Sequence, residues 1–393
     1  MKSDLRVVTS CRSRFHIFEQ ASQLERKGFL HKLISDYPES YPVKFGVPSK
    51  KIQALVALGV ITHGASRIGQ FLPRQLRSIL DRYTNKLASW SIANKIPRDI
   101  ELFIGMSSFC LESINVCEKL GIDSVVDHGS LHLVDELKFQ LAEASRWGVN
   151  PKVAIDIPDW MIEKEQEEFE RAKIVFCVSD RAYMSLVKNG VSSQKIFANH
   201  LGVDLSRFTV SEEKKITDEF HVLQAGGVVL RKGVLSLLHA FKKLRGRGHF
   251  LHFAGGGLET SGIKKHVEKL SGDNVIYHGA LNFAHLLDLY RSSDVCVLAS
   301  VADGFGMVVP QAMSCGKPVI VTENVGARSL IRDGVNGFVV KPGDAQELSE
   351  RLQLLRDDRQ LREEMGAAAL ETVRSGFTWN DYGDRLAQYL VLR

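Results

Sequence analysis

Two stretches of this chain gather the residue types that chemistry needs. One is Asp303-Gly304-Phe305-Gly306, which follows the apolar run Val295 to Ala299. A helical run through Met307, Val308, Gln311, Ala312 and Met313 comes next and stops at Gly316. A strand, a glycine turn and a helix start leave free backbone N–H groups facing one small volume, and the helix dipole adds to their pull on an anion, most often a phosphate. The glycines let the backbone approach a ligand where a side chain would block it. Asp303 and Gln311, eight residues apart, bracket the turn with groups that can contact hydroxyls. The other stretch is Asp127-His128-Gly129-Ser130-Leu131-His132, after the apolar run Ser124 to Val126. It falls at the carboxyl end of a parallel strand, where open α/β sheets place ligands. A lone histidine is more often a packed residue than a functional one; Gly129 and Ser130 beside His128 at a strand end favour function.

These stretches need a sheet to hold them, and the chain supplies one from its start. Leu5 to Thr9 reads as a buried strand, Ser10 to Arg14 as a polar turn, Phe15 to Gly28 as a helix and Phe29 to Ile34 as the next strand. Strand-helix-strand order predicts a parallel sheet with right-handed crossovers. Leu102 to Met106 continues it, with Ser107 and Ser108 suited to capping the helix through Leu120. Glu163 to Arg171 reads as a charged solvent-facing helix, followed by strands Ile174 to Val178 and Lys195 to Ala198. Thr209 to Asp218, charged and helix-poor, reads as a linker. Beyond it the alternation repeats, with strands Phe220 to Ala225, Phe250 to Ala254, Val275 to His278, Val295 to Ala299, Val319 to Thr322 and Phe338 to Val340.

Bulk properties agree with two domains. A chain of 393 residues exceeds one typical domain and suggests two of about 200 residues each. Hydrophobic content of 44% and charged content of 25% are those of an ordinary soluble protein, and a net charge of +5 does not suggest a nucleic-acid binder. The six cysteines form no CxxC pair and sit mostly in apolar runs, so they read as reduced core residues. No signal peptide is visible, and the longest apolar run, Ala54 to Ile61, is too short to span a bilayer.

The segment D-G-F-G-M-V-V-P-Q followed by A-M-S-C-G-K-P-V-I resembles the nucleotide-sugar site of retaining family 4 glycosyltransferases, usually E-G-F-G-x-x-x-x-E and A-x-x-x-G-x-P-V-I. Both acidic positions differ here, as Asp303 and Gln311. The resemblance covers nearly the whole chain and is strongest over residues 220–344. It implies the GT-B fold, an α/β architecture of two Rossmann-like doubly wound domains facing an interdomain cleft. Residues 1–208 would bind the acceptor, residues 209–376 the nucleotide-sugar, and a terminal helix at 377–393 would pack back on the first domain. The stretch A-G-G-V-V-L-R-K-G is similar to the family's G-R-L-x-x-x-K-G. Lys232 matches its phosphate-binding lysine, whereas its arginine falls on Gly227, with Arg231 nearby. Gly255 and Gly256 would allow close backbone approach, and Leu281 would lie in the loop that meets the nucleobase. At the other domain, one branch of the family reads R-G-S-x-H where this chain has His128 to His132.

What the resemblance implies is transfer of a hexose from a UDP-, GDP- or dTDP-linked donor to an acceptor hydroxyl with retention, in cell-surface polysaccharide or glycolipid synthesis. The catalytic residues would be His128, His132, Lys232 and Asp303. Donor-binding residues would be Arg231, Lys232, Gly255, Gly256, Leu281, Asp303, Gly304, Phe305, Gly306, Met307, Val308 and Gln311, with Asp303 on the sugar hydroxyls and Gln311 on the ribose. No Asp-x-Asp motif stands at a strand end, so neither a metal nor another cofactor is expected. Cleavage of the donor builds negative charge on the diphosphate, which Lys232, Arg231 and the N–H groups of Gly304 to Met307 would stabilise. The family's front-face mechanism needs no protein nucleophile. A nucleotide-sugar 2-epimerase of the same fold, or a catalytically inactive nucleotide-sugar-binding module, are the alternatives. A dinucleotide-dependent oxidoreductase fits poorly, because the turn after Thr9 has no glycines.

Residues 41–90 depart from the α/β rhythm. Lys44, Lys50, Lys51, Arg67, Arg74, Arg77, Arg82 and Lys86 meet only Asp81 as a counter-charge and are interleaved with apolar residues. Such a segment can lie on an anionic membrane surface or serve as a solvated helical face. The first reading, with a glycan or lipid-linked acceptor, implies a cytoplasmic protein peripheral on the inner face of the cell membrane.

Overall fold

The computed structural model describes residues 5–12, 15–69, 71–211 and 218–392. Among them, β1 (Val7–Cys11), β2 (Leu30–Ser35), β3 (Ile52–Ala54), β4 (Leu102–Met106), β5 (Asp123–His128), β6 (Ile174–Cys177) and β7 (Ile196–Ala198) form one parallel sheet in the order β3-β2-β1-β4-β5-β6-β7. A second parallel sheet holds β8 (Phe220–Ala225), β9 (His249–Ala254), β10 (Val275–Gly279), β11 (Val295–Leu298), β12 (Val319–Thr322) and β13 (Gly337–Val340), ordered β10-β9-β8-β11-β12-β13. Each order reverses once, between β1 and β4 and between β8 and β11. That reversal opens a crevice at the carboxyl ends of the central strands. The chain is therefore α/β with two Rossmann-like doubly wound domains.

Strands such as β4 and β12 are short apolar runs because helices cover both sheet faces. One core cluster runs without a break from Leu33 and Ile104 through Leu201, Val203 and Phe208 to Leu223 and Leu298. The helix Trp379–Val391 opens with a capping box between Thr378 and Asp381. It lies against the helix Ile17–Arg26 of the first domain, where Gln20 Nε2 donates to Tyr382 Oη at 3.0 Å. All six cysteines are buried and unpaired.

Several local expectations are corrected. Ser10 and Cys11 lie inside β1 and not in a turn; Ser13 and Arg14 lie outside the described residues, as does most of the linker expected at Thr209 to Asp218. Ser107 and Ser108 do not cap the helix Leu111–Leu120. The cap is Glu168, whose carboxylate accepts from the N–H groups of Ser108, Cys110 and Leu111 at 2.5, 2.9 and 3.0 Å. Glu168 belongs to the helix Asp159–Arg171, so the segment read as a plain solvent face buries Glu165, Glu168 and Phe169. The carboxylates point inward because exposed N–H groups at the start of a neighbouring helix need acceptors. Residues 56–93 form two packed helices, Val56–Gly69 and Arg74–Ala93.

Candidate functional site

At the reversal point of the second sheet, the loop after β8 and the loop after β11 meet. Gly233, at φ +65°, tucks against the Ala299 carbonyl so closely that a Cβ there would collide with it. This contact brings Arg231 and Lys232 over the turn that follows β11. Val301 N donates to Arg231 O at 2.9 Å, Arg231 Nη1 donates to Ala302 O at 2.9 Å, and Lys232 Nζ donates to Asp303 Oδ2 at 2.5 Å. Ser300 Oγ also donates to Asp303 Oδ2, at 3.3 Å. Burial pushes the Asp303 carboxyl up, but Lys232 and then Arg231 outweigh it and hold the group below its usual range. A buried carboxylate with two cations beside it is the electrostatic centre of this crevice.

The turn itself is built from both domains. Gly306 has φ +88°, and a Cβ on Gly304 would strike Gly129 O and Ser130 Cα of the first domain. Ser179 Oγ donates to Gly304 O at 2.5 Å and Arg181 Nη2 to Asn324 Oδ1 at 2.5 Å. Arg231 Nε lies 3.4 Å from Glu136 Oε1, while Glu136 Oε2 accepts from Ser130 Oγ at 2.6 Å. The N–H groups of Gly304, Phe305, Gly306 and Met307 take no acceptor among the described residues. They precede the helix Val308–Ser314, whose N-cap has no side-chain partner. Glu136, Ser179, Arg181, Ser300 and Asn324 were not legible as site residues. Of these, Ser179, Ser300 and Asn324 each stand two residues past a strand, β6, β11 and β12, where a strand-end rule points.

The expected site residues separate into groups. Arg231, Lys232 and Asp303 come together with the turn Gly304 to Met307. Phe305 is buried beneath it, and Val308 opens the helix behind it. Gly255 lies so close to Gly226 O that a side chain would collide, whereas Gly256 faces open space. Leu281 is half-buried just past β10. Gln311 accepts a hydrogen bond from the buried Tyr290 hydroxyl at 3.0 Å, which fixes its carbonyl oxygen.

His128 and His132 turn elsewhere. Both rings lie against Phe169, at 5.1 and 5.7 Å between centroids. His128 is 1% exposed; its Nδ1 is 3.0 Å from Ser107 Oγ and 3.5 Å from Glu165 Oε1. Burial, and secondarily His132, push its pKa down to about 4. His132 Nδ1 accepts from Val134 N at 3.2 Å and so caps the helix Leu133–Trp147. What reaches the crevice from this segment is the backbone at Gly129 and Ser130, together with the Ser130 hydroxyl.

A cavity of about 570 Å³ lies away from this cluster, between Tyr41, Phe45, Arg207 and Trp379 where the chain crosses between the domains. Its polar lining mixes Glu19 and Asp204 with Lys44 and Arg207 and includes none of the expected site residues. The opposed loops at the sheet reversal are the better candidate, because charge and backbone donors converge there. Among the described residues, no group of three or more histidine, cysteine, aspartate or glutamate side chains is placed to hold a metal ion. No described helix is long and apolar enough to cross a membrane.

Residues 206–372 match the family Glycosyl transferases group 1. D-inositol 3-phosphate glycosyltransferase of Arthrobacter sp. (strain FB24) is 32% identical over 193 residues, covering 45% of this chain and 45% of that protein. The chain thus spans about half the length of the curated relatives it matches. Sucrose-phosphate synthase from Thermosynechococcus elongatus superposes with a TM-score of 0.74 at 19% identity, over 99% of both chains. Anabaena HepE in complex with UDP and glucose gives 0.69 at 16% identity, over 99% of this chain and 100% of that one. The family match thus rests on the second domain, and the whole chain shares the GT-B fold of these solved structures.

Proposed function

We propose that the protein transfers a hexose from a nucleotide-sugar to an acceptor hydroxyl, with retention at the anomeric carbon. The observation that carries this reading is the convergence of Arg231, Lys232, Asp303 and the free N–H groups of Gly304 to Met307 at one sheet reversal. An incoming diphosphate competes with Asp303 for Lys232 and with Glu136 for Arg231. Asp303, released from its ion pair, is then an acceptor for the sugar hydroxyls. As the bond to the leaving group breaks, charge grows on the diphosphate, and preorganised cations and N–H groups stabilise it more than they stabilise the bound donor. Lys232 and Arg231 take the part that a divalent cation plays elsewhere, so the reaction is proposed to need none. UDP and glucose in the complex of the Anabaena neighbour support a nucleotide-sugar donor. The acceptor is proposed to be a glycan or a lipid-linked hydroxyl, at a membrane surface, in polysaccharide or glycolipid synthesis.

The test begins with thermal-shift screening against UDP-, GDP- and dTDP-sugars, followed by transfer assays with and without EDTA. NMR of the product as it forms reports the anomeric configuration. Turnover that disappears with EDTA removes the metal-free mechanism, and an inverted product removes retention. Conversion of the donor into its C2 epimer without acceptor would mean an epimerase instead.

A further inference from the structure

The helices Val56–Gly69 and Arg74–Ala93 are amphipathic in the inverted sense. The inward face of the second carries Thr84, Asn85, Ala88 and Ser89, and turns apolar only at its end, with Ile92 and Ala93. Its outward face carries Leu76, Ile79, Tyr83, Leu87 and Trp90, all exposed and spaced by three or four residues. Val60, Ile61 and Ile68 continue the apolar surface on the first helix. Phe71, between the helices, is 82% exposed. Soluble proteins rarely leave so large a contiguous apolar surface uncovered. Arg67, Arg82 and Lys86 are exposed beside it and form no ion pair among the described residues.

The charge decides between occupants. In a symmetric dimer the same patch faces itself, so the cations Arg67, Arg82 and Lys86 would be brought against a surface of their own sign. An anionic bilayer meets both properties, taking the apolar stripe among its acyl chains and the cations among its headgroups. The position within the fold agrees. Asn85 Nδ2 donates to Ser108 O at 2.9 Å and Ser89 Oγ to Phe109 O at 2.8 Å, both in the loop after β4. Gly59 packs against Asp36 O, just past β2. The pair of helices therefore covers the carboxyl edge of the first sheet, beside its own reversal point.

We infer that the helices at residues 56–93 dock the protein on an anionic lipid surface, with Phe71 and the Leu76–Trp90 stripe entering the interface and the mouth of the first domain held beside the headgroups. This deepens the proposed transferase reading, since a lipid-linked acceptor would then be presented where the first domain opens, but binding itself requires no catalysis. The full chain is to be co-sedimented with vesicles of phosphatidylcholine alone and of phosphatidylcholine with phosphatidylglycerol, at low and high salt. Binding to the anionic vesicles only, weakened by salt, is expected. Arg67→Ala/Arg82→Ala/Lys86→Ala should weaken it roughly a hundredfold. Phe71→Asp/Ile79→Asp should abolish it without lowering the melting temperature, because both side chains are exposed. Absence of vesicle binding, or binding indifferent to both sets, overturns the inference. A dimer by light scattering that Phe71→Asp/Ile79→Asp dissolves also overturns it and assigns the face to a second copy. Donor turnover with a water-soluble acceptor, measured on the same variants, tests the transferase reading separately.

Discussion

The two sheets share a topology, yet their carboxyl ends are used differently. At the second, glycines strip the loops to backbone, and the charged side chains nearby face one another across the crevice. At the first, several polar side chains are absorbed by packing: His132 caps one helix, Glu168 caps another, and His128 is enclosed between Ser107, Glu165 and Phe169. Burial pushes the Glu165 carboxyl well above its usual range and Glu168 up to about 7. A strand-end histidine is therefore not a site by position alone. It becomes one when the backbone around it leaves room for a ligand.

The sharpest way to break the comparison is Lys232→Ala. If the second sheet's reversal point holds the diphosphate, losing this cation should cost roughly 2.7–4 kcal/mol of transition-state stabilisation, about 10²–10³ in turnover. Donor affinity should fall less, since the charge on the leaving group is greatest in the transition state. Steady-state kinetics that place the variant within a few-fold of wild type would move the phosphates elsewhere.

The first sheet's end is tested by pH. The native His128 imidazole has a pKa of about 4 against an ordinary 6.5, so below pH 6.5 the unfolded chain binds a proton that the native state refuses. Its contribution to stability is complete above pH 6.5 and is lost as pH falls towards 4, an effect of about 3 kcal/mol. Glu168, raised to about 7, acts in the opposite direction, so wild type alone does not display the term. The stability of wild type relative to His128→Asn isolates it. That difference, from urea unfolding at several pH values, should shrink by about 3 kcal/mol between pH 6.5 and 4. A difference independent of pH would mean that the imidazole is solvated and open to the crevice.

Where the two regions touch, Gly304→Ala should matter more than an exposed glycine would. Its Cβ meets Gly129 O and Ser130 Cα, which are backbone and cannot rotate away. Overpacking of this kind costs about 1–3 kcal/mol, here by separating the domains. A lower melting temperature with a larger radius of gyration in X-ray scattering is expected; neither change would mean that the domains do not close on this contact.

How much of this was legible follows from how far each signal reaches along the chain. The apolar runs Leu102 to Met106, Phe220 to Ala225 and Val319 to Thr322 coincide with β4, β8 and β12, because a buried strand needs only its own residues. The turn Asp303 to Gly306 was readable for the same reason. Glu168 was not, since the N–H groups it caps lie about sixty residues away in sequence. Its helix therefore read as a solvent face. Arg231 with Glu136, and Ser179 with Gly304, arise only when two separate domains meet. The helices at residues 56–93 invert the usual pattern, apolar outward, so periodicity by itself could not say which face was buried.

The smallest expected effect is a gain. Gly227 stands where the resembled family carries an arginine, and the reason that glycine is tolerated bears on whether Arg231 replaces it. Gly226, its neighbour, has φ +106° and needs to be glycine. Gly227 has no such constraint. A Cβ built there meets Gly256 O at 3.7 Å and Val229 methyl groups at 3.8 and 3.9 Å, which is ordinary contact. The position can hold a side chain, so the missing cation reflects substitution and not a closed space. Arg231, in contrast, is already engaged with Ala302 O and Glu136 and must exchange those partners for a phosphate. A guanidinium at residue 227 would carry no such commitment. Gly227→Arg should therefore raise turnover by about tenfold, roughly 1.4 kcal/mol, and should recover activity lost in Arg231→Ala. Recovery would show that the two positions serve one phosphate. If Gly227→Arg leaves turnover unchanged in both backgrounds, the diphosphate does not pass between the loops after β8 and β11, and the contrast between the two sheet ends loses its chemical meaning.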